Sequence, residues 1–220
     1  MAELWDMGGV IVDYRKPPYC FDFLKNPESK IKLIEPYWKR FERGLISGKE
    51  FYIAFTEEFG YSKRYDDFIK DFNEGFDFKL NKEVFDFVVS RKPKINGPTL
   101  YMISNINEFH FDHINKMWPG VFSNFLRNFY SFRLGMIKPD PKIFLYTKKN
   151  INFSVYNTVF IDDKKENCGA AKKIGFTSIQ FINLEQLKAD LIKLDEPPKT
   201  EIKPEKKKIW PEDNPDDDIY

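Results

Sequence analysis

The sequence predicts a doubly wound α/β domain: a parallel sheet covered by helices on both faces, with a helical cap inserted after the first strand. Short apolar runs recur along the chain, from Met1 to Val12 and then as TLYMIS (99–104), TVFIDD (158–163) and SIQFI (178–182). Such near-continuous runs are the mark of parallel strands buried on both faces. Helical patterns follow or separate them, as an α/β sheet requires. Finally, a length of 220 residues suits one core domain carrying an insertion or a tail.

Taken in order, the first strand runs into Gly8 and Gly9. From about Pro17 to Phe78 the pattern is helical. Ser47 and Glu50 stand in capping-box spacing ahead of FYIAFTEEFG, and Trp38, Phe41, Phe51, Phe55 and Phe59 fall at helical offsets that predict the interior of a cap. Cys20 reads as part of that interior. Beyond the cap, PDPKIFLYTKK and ENCGAAKKIG predict helices, the second ended by Gly175. Cys168, beside Gly169, Ala170 and Ala171, reads as a small residue for close helix packing. The expected division is a core of residues 1–15 and 79–195, a cap of 16–78 and a tail of 196–220. The tail holds five of the fourteen prolines and five lysines against eight acids, a local balance of −3. Without apolar periodicity it is expected to be disordered, and KKKIW and DDDIY are its candidate grips on an unidentified partner protein.

Composition narrows the function classes. With 23 Phe, 11 Tyr, 4 Trp and 31% charged residues, the chain can bury a real core under a charged surface. A net charge of +1 offers no footprint for nucleic acid. Nothing approaches the ~20 apolar residues of a membrane span, and MAELWDMGG is acidic where a signal peptide is basic, so a cytoplasmic, membrane-free protein is expected. Two cysteines and two histidines without CxxC or HExxH spacing argue against disulfide and zinc frameworks.

In a doubly wound sheet, ligands bind at the carboxyl ends of the strands. Asp6 closes the first strand, Ser104 and Asn105 close TLYMIS, and Asp162 and Asp163 close TVFIDD, while Lys138 lies in the loop GMIKPDPKIF. Singly these are ordinary turn and surface residues. Together they are what a carboxylate nucleophile needs to attack phosphorus: a divalent cation's ligands, a lysine and neutral donors to screen its charge and the phosphate's.

At these residues the sequence resembles the haloacid dehalogenase (HAD) superfamily, over residues 1 to about 193. WDMGGVIVDY resembles its first motif, YMISN the second, LGMIKPDPKIF the third and FIDDKKENCGAAKKIGFTSI the fourth. FERGLIS, SNINEFH and LGMIKPDPKIF are most similar to the branch of α-glucose-1-phosphate phosphatases and the phosphatase domain of soluble epoxide hydrolases. The resemblance implies a Rossmann-like core and a Mg²⁺-dependent phosphomonoester hydrolase acting on a small phosphorylated metabolite, a sugar phosphate first. It implies an aspartyl-phosphate at Asp6, with Ser104, Asn105 and Lys138 holding the phosphoryl oxygens. The implied metal ligands are Asp6, the Gly8 carbonyl and Asp163, with Asp162 behind them or ligating through water; Asn167 would orient the fourth-motif loop.

One position departs from the wider pattern. Where most phosphatases of the superfamily carry a second Asp as acid and base, this chain has Gly8. Losing a positioned proton carrier typically costs ~10²- to 10⁴-fold. Replacement carriers are His110, also a candidate substrate contact, and Asp13; Asn107 could cap a helix or touch substrate. Two further readings stand beside the phosphatase: a metal-independent 2-haloacid dehalogenase, which the DD pair argues against, and a phosphate-binding or interaction protein, which Gly8 favours.

Overall fold

In the computed structural model, residues 1–17, 19–92 and 97–195 are described. The predicted tail, 196–220, lies outside the described residues. The elements are β1 (Ala2–Trp5), β2 (Val12–Asp13), α1 (Pro27–Glu42), α2 (Gly48–Phe59), α3 (Tyr65–Phe76), β3 (Lys79–Leu80), α4 (Lys82–Ser90), β4 (Thr99–Ser104), α5 (Glu108–Met117), β5 (Arg127–Tyr130), α6 (Ser131–Leu134), α7 (Pro141–Asn150), β6 (Thr158–Asp162), α8 (Lys165–Ile174), β7 (Thr177–Gln180) and α9 (Leu184–Asp195).

Five strands form one parallel sheet in the order β5-β4-β1-β6-β7. The first strand therefore sits at the centre, with chain crossing to either side of it. That reversal opens a crevice at the carboxyl end of β1, which is where such folds bind ligands. Successive side chains of the strands feed two cores: Trp5, Met102 and Ile161 on one face, Leu4, Tyr101, Ile103 and Phe160 on the other. This is the doubly wound α/β fold that the apolar runs predict.

Two details correct the sequence reading. The run from Met1 to Val12 is not one strand. Gly9 adopts φ +79°, and the backbone N–H groups of Val10, Ile11 and Val12 all point to the Met7 carbonyl, so the chain folds back after Asp6. Val12–Asp13 then pairs antiparallel with Lys79–Leu80, a two-strand ribbon at the base of the cap. A fifth strand, Arg127–Tyr130, occupies the sheet edge. Its exposed Arg127 and short length hide it among the apolar runs.

The cap is helical as expected. Ser47 and Glu50 form the capping box of α2, with Glu50 Oε2 accepting from Ser47 N at 2.7 Å. Phe41, Phe51, Phe55 and Phe59 are buried with Cys20 in an aromatic interior that Phe68 and Phe72 complete. Trp38 is the exception among the five predicted aromatics, being partly exposed and facing the crevice. In the core, Cys168 and Ala171 pack tightly as expected, whereas a Cβ on Gly169 would meet nothing within 4 Å. Cap and core meet closely: a Cβ on Gly44, at φ +67°, would lie 1.9 Å from the Phe132 carbonyl oxygen, Ser131 Oγ donates to the Glu42 carbonyl at 2.6 Å, and the Gly48 N–H donates to Glu108 Oε1 at 2.6 Å. No described helix is long and apolar enough to cross a membrane.

Candidate active site

The central strand delivers Asp6 to the crevice. Its backbone N–H continues the pairing with β6, donating to the Ile161 carbonyl at 2.8 Å, and its side chain is 5% exposed. Oδ1 accepts from the Met7 N–H at 2.7 Å and lies 2.7 Å from Lys138 Nζ. The same ammonium donates to Asp162 Oδ2 at 2.6 Å and to the Ile103 carbonyl at 3.1 Å. An ammonium has three donors, and those of Lys138 are directed at the two carboxylates at the crevice floor and at the end of β4.

Asn105 positions that lysine. Its Oδ1 accepts from the Lys138 N–H and its Nδ2 donates to the Lys138 carbonyl, both at 2.8 Å, clamping the loop between α6 and α7 against the end of β4. The adjacent Ser104 is buried, and its Oγ has no hydrogen-bond partner among the described residues. A buried hydroxyl without a partner is costly unless a ligand supplies one.

The paired aspartates divide their work. Asp162 also accepts from the Lys164 N–H at 2.9 Å and from Asn167 Nδ2 at 2.8 Å on Oδ1, so its oxygens are occupied by protein donors. Asn167 thereby fixes the loop leading into α8. Asp163 is different: its Oδ1 is buried without a partner among the described residues, and Oδ2 is 4.0 Å from the exposed Lys16 ammonium. Gly9 makes room for it, since a Cβ there would sit 2.6 Å from Asp163 Oδ2. Asp6, Asp162 and Asp163 each bring an oxygen within 4.8 Å of the others. Three carboxylates around one buried lysine leave excess negative charge, and all-oxygen donors suit Mg²⁺. The site fits that ion.

Electrostatics agree with this count. Burial, then the charge of Asp162, pushes the Asp6 carboxyl well above the usual carboxylate range despite Lys138. Burial also opposes ionisation of Asp162, but Lys138 and hydrogen bonds to the carboxylate outweigh it and bring that group below the usual range. Burial and Asp162 raise Asp163. Lys138 stays charged, because Asp162 and Asp6 overcome its burial.

Above this floor, the crevice opens into a cavity of about 500 Å³ between cap and core. Gly8 lies at its edge, and a Cβ on Gly8 would be 3.0 Å from the Tyr14 ring, so the aromatic ring covers the place where the wider superfamily keeps its acid. His110 lines the same cavity. Asn107 caps α5 by accepting from the His110 N–H at 3.0 Å, and its Nδ2 is 3.2 Å from His110 Nδ1. Phe72, Phe76 and Phe78 pack around the ring, and burial, with His113 nearby, holds it well below the usual histidine range. His110 is therefore neutral, with Nε2 unpartnered among the described residues. Asp13 is exposed on β2 and lines a different hollow beside Asn81 and Glu185.

One titratable residue of the cavity went unremarked as a candidate. Glu42, the last residue of α1, lines the cavity together with Trp38, one turn earlier on the same helix. Burial raises its pKa against the pull of Lys164 and Lys138. The signal was present as the FERGLIS segment, but its direction depends on how the cap docks.

No protein-family model matches the chain. It is 28% identical to a drimenol cyclase of Aspergillus calidoustus over 86% of the chain, but spans only 35% of that protein's length. It is 27% identical to a sesquiterpene phosphatase of Aspergillus oryzae, covering 82% of this chain and 89% of the relative. It is 23% identical to a D-ribitol-5-phosphate phosphatase of Bacteroides thetaiotaomicron, covering 80% and 89%. Among solved structures, a HAD family enzyme of Bacteroides thetaiotaomicron in complex with magnesium and inorganic phosphate superposes with a TM-score of 0.70 at 22% identity, covering 84% of this chain and 98% of the other. The chain thus has the fold of these haloacid dehalogenase enzymes, with Asp6, Ser104, Asn105, Lys138 and Asp162 gathered at the carboxyl end of its central strands.

Proposed function

We propose that the chain is a Mg²⁺-dependent phosphomonoester hydrolase working through Asp6. The observation that carries this reading is the ion pair of Asp6 with Lys138 at the end of the central strand, beside an Asp163 oxygen that no described residue satisfies. In this reading the Asp6 carboxylate attacks phosphorus, the bond to the leaving oxygen breaks, and an aspartyl-phosphate forms; water then cleaves it and frees Asp6. Ser104 Oγ, Lys138 and the Asn105 backbone hold phosphoryl oxygens. Mg²⁺, held by Asp6, Asp163 and the Gly8 carbonyl with Asp162 behind them, would neutralise the charge gathering between carboxylate and phosphate.

Gly8 leaves the leaving oxygen without the usual proton donor. Glu42 is the carboxyl assigned this part, since it lines the cavity above Asp6 and burial favours its protonated form. The substrate is a small phosphorylated metabolite. The motif resemblance and the D-ribitol-5-phosphate phosphatase relative favour a sugar or polyol phosphate, while the sesquiterpene phosphatase relative favours an apolar one.

The test is release of inorganic phosphate from a panel of monophosphates with and without Mg²⁺. Metal-dependent release that Asp6→Asn abolishes supports the hydrolase. Chloride release from 2-chloropropionate without metal would select the dehalogenase instead. The phosphate-binding reading, which Gly8 favours, requires silence in both assays together with measurable phosphate binding.

A further inference from the structure

The wall of the cavity bears on the leaving group. Ile31, Ile34 and Trp38 on α1, Phe21 before it, Phe76 at the end of α3 and Phe78 just beyond it line one apolar side. Trp38 and Phe76 stack with ring centroids 5.1 Å apart, so this side is packed rather than loose.

Several polar groups around the cavity are spent on the protein itself. Both side-chain atoms of Asn105 are consumed by the Lys138 backbone, and Asn167 Nδ2 by Asp162. Glu35 and Lys39 pair with each other at 2.5 Å on the rim, each side chain 56% exposed. Lys164 also lines the cavity, and Tyr14 lies over Gly8 beside the phosphoryl end. Against the apolar wall, among the described residues, there remain the Glu42 carboxyl, the unpartnered His110 Nε2 and, toward the phosphoryl end, the Tyr14 hydroxyl and the Lys164 ammonium. A sugar or polyol carries a hydroxyl on nearly every carbon, and each one buried without a partner costs on the order of 1–3 kcal/mol. An apolar body loses nothing there and gains from leaving water.

We propose that this cavity binds the monophosphate of an apolar alcohol or phenol, its phosphoryl group at Asp6 and its hydrocarbon body against Ile31, Ile34, Trp38 and Phe78. The proposal rests on the hydrolase reading for the placement of the phosphoryl group, and concerns what stands behind it. His110 Nε2 then offers one polar contact beside the aromatic rings of this wall.

The test is calorimetric binding of non-hydrolysable n-alkylphosphonates, ethyl to octyl, to the full chain with Mg²⁺, alongside ribitol 5-phosphate and glucose 1-phosphate. Affinity should rise about threefold to fourfold per methylene until the cavity is filled, and the octyl compound should bind more tightly than either polyol phosphate. Ile31→Gln should flatten the chain-length dependence, whereas Leu33→Gln, on the exposed side of the same helix and outside the cavity, should preserve it. A flat series, no phosphonate binding, or tighter binding of the polyol phosphates would overturn the proposal. Hydrolysis is read separately. If phosphonates bind with the predicted slope but no alkyl or aryl monophosphate is cleaved, the hydrolase reading fails while the wall assignment stands.

Discussion

The interior of the cap and the floor of the crevice are both buried, and they are built from opposite materials. In the cap, Phe41, Phe51, Phe55, Phe68 and Phe72 pack ring on ring, with Phe41 and Phe51 at 4.5 Å and Phe51 and Phe55 at 4.8 Å. On the floor, Asp6, Lys138 and Asp162 are 5%, 3% and 0% exposed. Burying a Phe side chain contributes about 1.5–3 kcal/mol, whereas a buried ion pair roughly breaks even once desolvation is counted. The cap interior therefore supplies stability and the floor retains charge for chemistry. Mutations should separate the two.

The largest expected effect is on the floor. In the proposed hydrolase, Asp6→Asn removes the nucleophile and should lower turnover by on the order of 10³-fold or more. The same change should stabilise the metal-free protein. A carboxyl whose folded-state pKa is raised loses stability as pH climbs from its unfolded value, near 3.9, through the folded value. Asn cannot ionise and escapes that loss. Thermal melts in EDTA should show the variant falling less than the parent between pH 5 and pH 8; equal falls would mean that Asp6 is not strained by ionisation. Asp162 contributes with the opposite sign. Its lowered pKa adds stability that is present above about pH 3.9 and lost as pH falls through the folded value.

Next in size is Glu42, the proposed proton carrier at the boundary of the two regions. Glu42→Gln should slow hydrolysis of alkyl phosphates by roughly 10²-fold or more, and of aryl phosphates by less, because a good leaving group needs little protonation. Equal slowing of both classes would point to a role in binding. Gly8→Asp should not restore the donor, because Tyr14 already stands 3.0 Å from where the new Cβ would be.

In the cap interior, Phe55→Ala should cost about 3–5 kcal/mol, lowering Tm by roughly 10 °C, while kcat of the folded protein stays nearly unchanged. A large loss of kcat without a loss of Tm would break the division between a stabilising cap interior and a chemical floor. The smallest effect is at the cap's surface. Ser47→Ala removes the N-cap of α2 and should cost about 1 kcal/mol in urea unfolding.

Much of this architecture is legible locally. Buried parallel strands write themselves as apolar runs, so Thr99–Ser104 was read with its observed ends, and β6 and β7 within two residues. Ser47 with Glu50, and Asn107 ahead of α5, are caps that a few neighbouring residues determine. The residues closing the strands, Asp6, Ser104 and Asp162, are brought together by strand order alone, since parallel neighbours end on the same side.

Other features required the folded chain. The edge strand Arg127–Tyr130 exists because β4 offers it backbone partners, which no property of RNFY announces. The two aspartates look alike in sequence, but Asn167, Lys138 and the Lys164 N–H saturate one and leave an oxygen of the other free. Asn105 clamps a loop thirty-three residues away. Trp38 and Glu42 line the cavity because the cap is pinned to the core, where Ser131 holds the Glu42 carbonyl across eighty-nine residues. Local sequence determines periodicity, capping and strand ends because those depend on neighbours within a turn or two. Which oxygen is free and which side chain faces the ligand depend on contacts between distant segments, and these the tertiary structure alone decided.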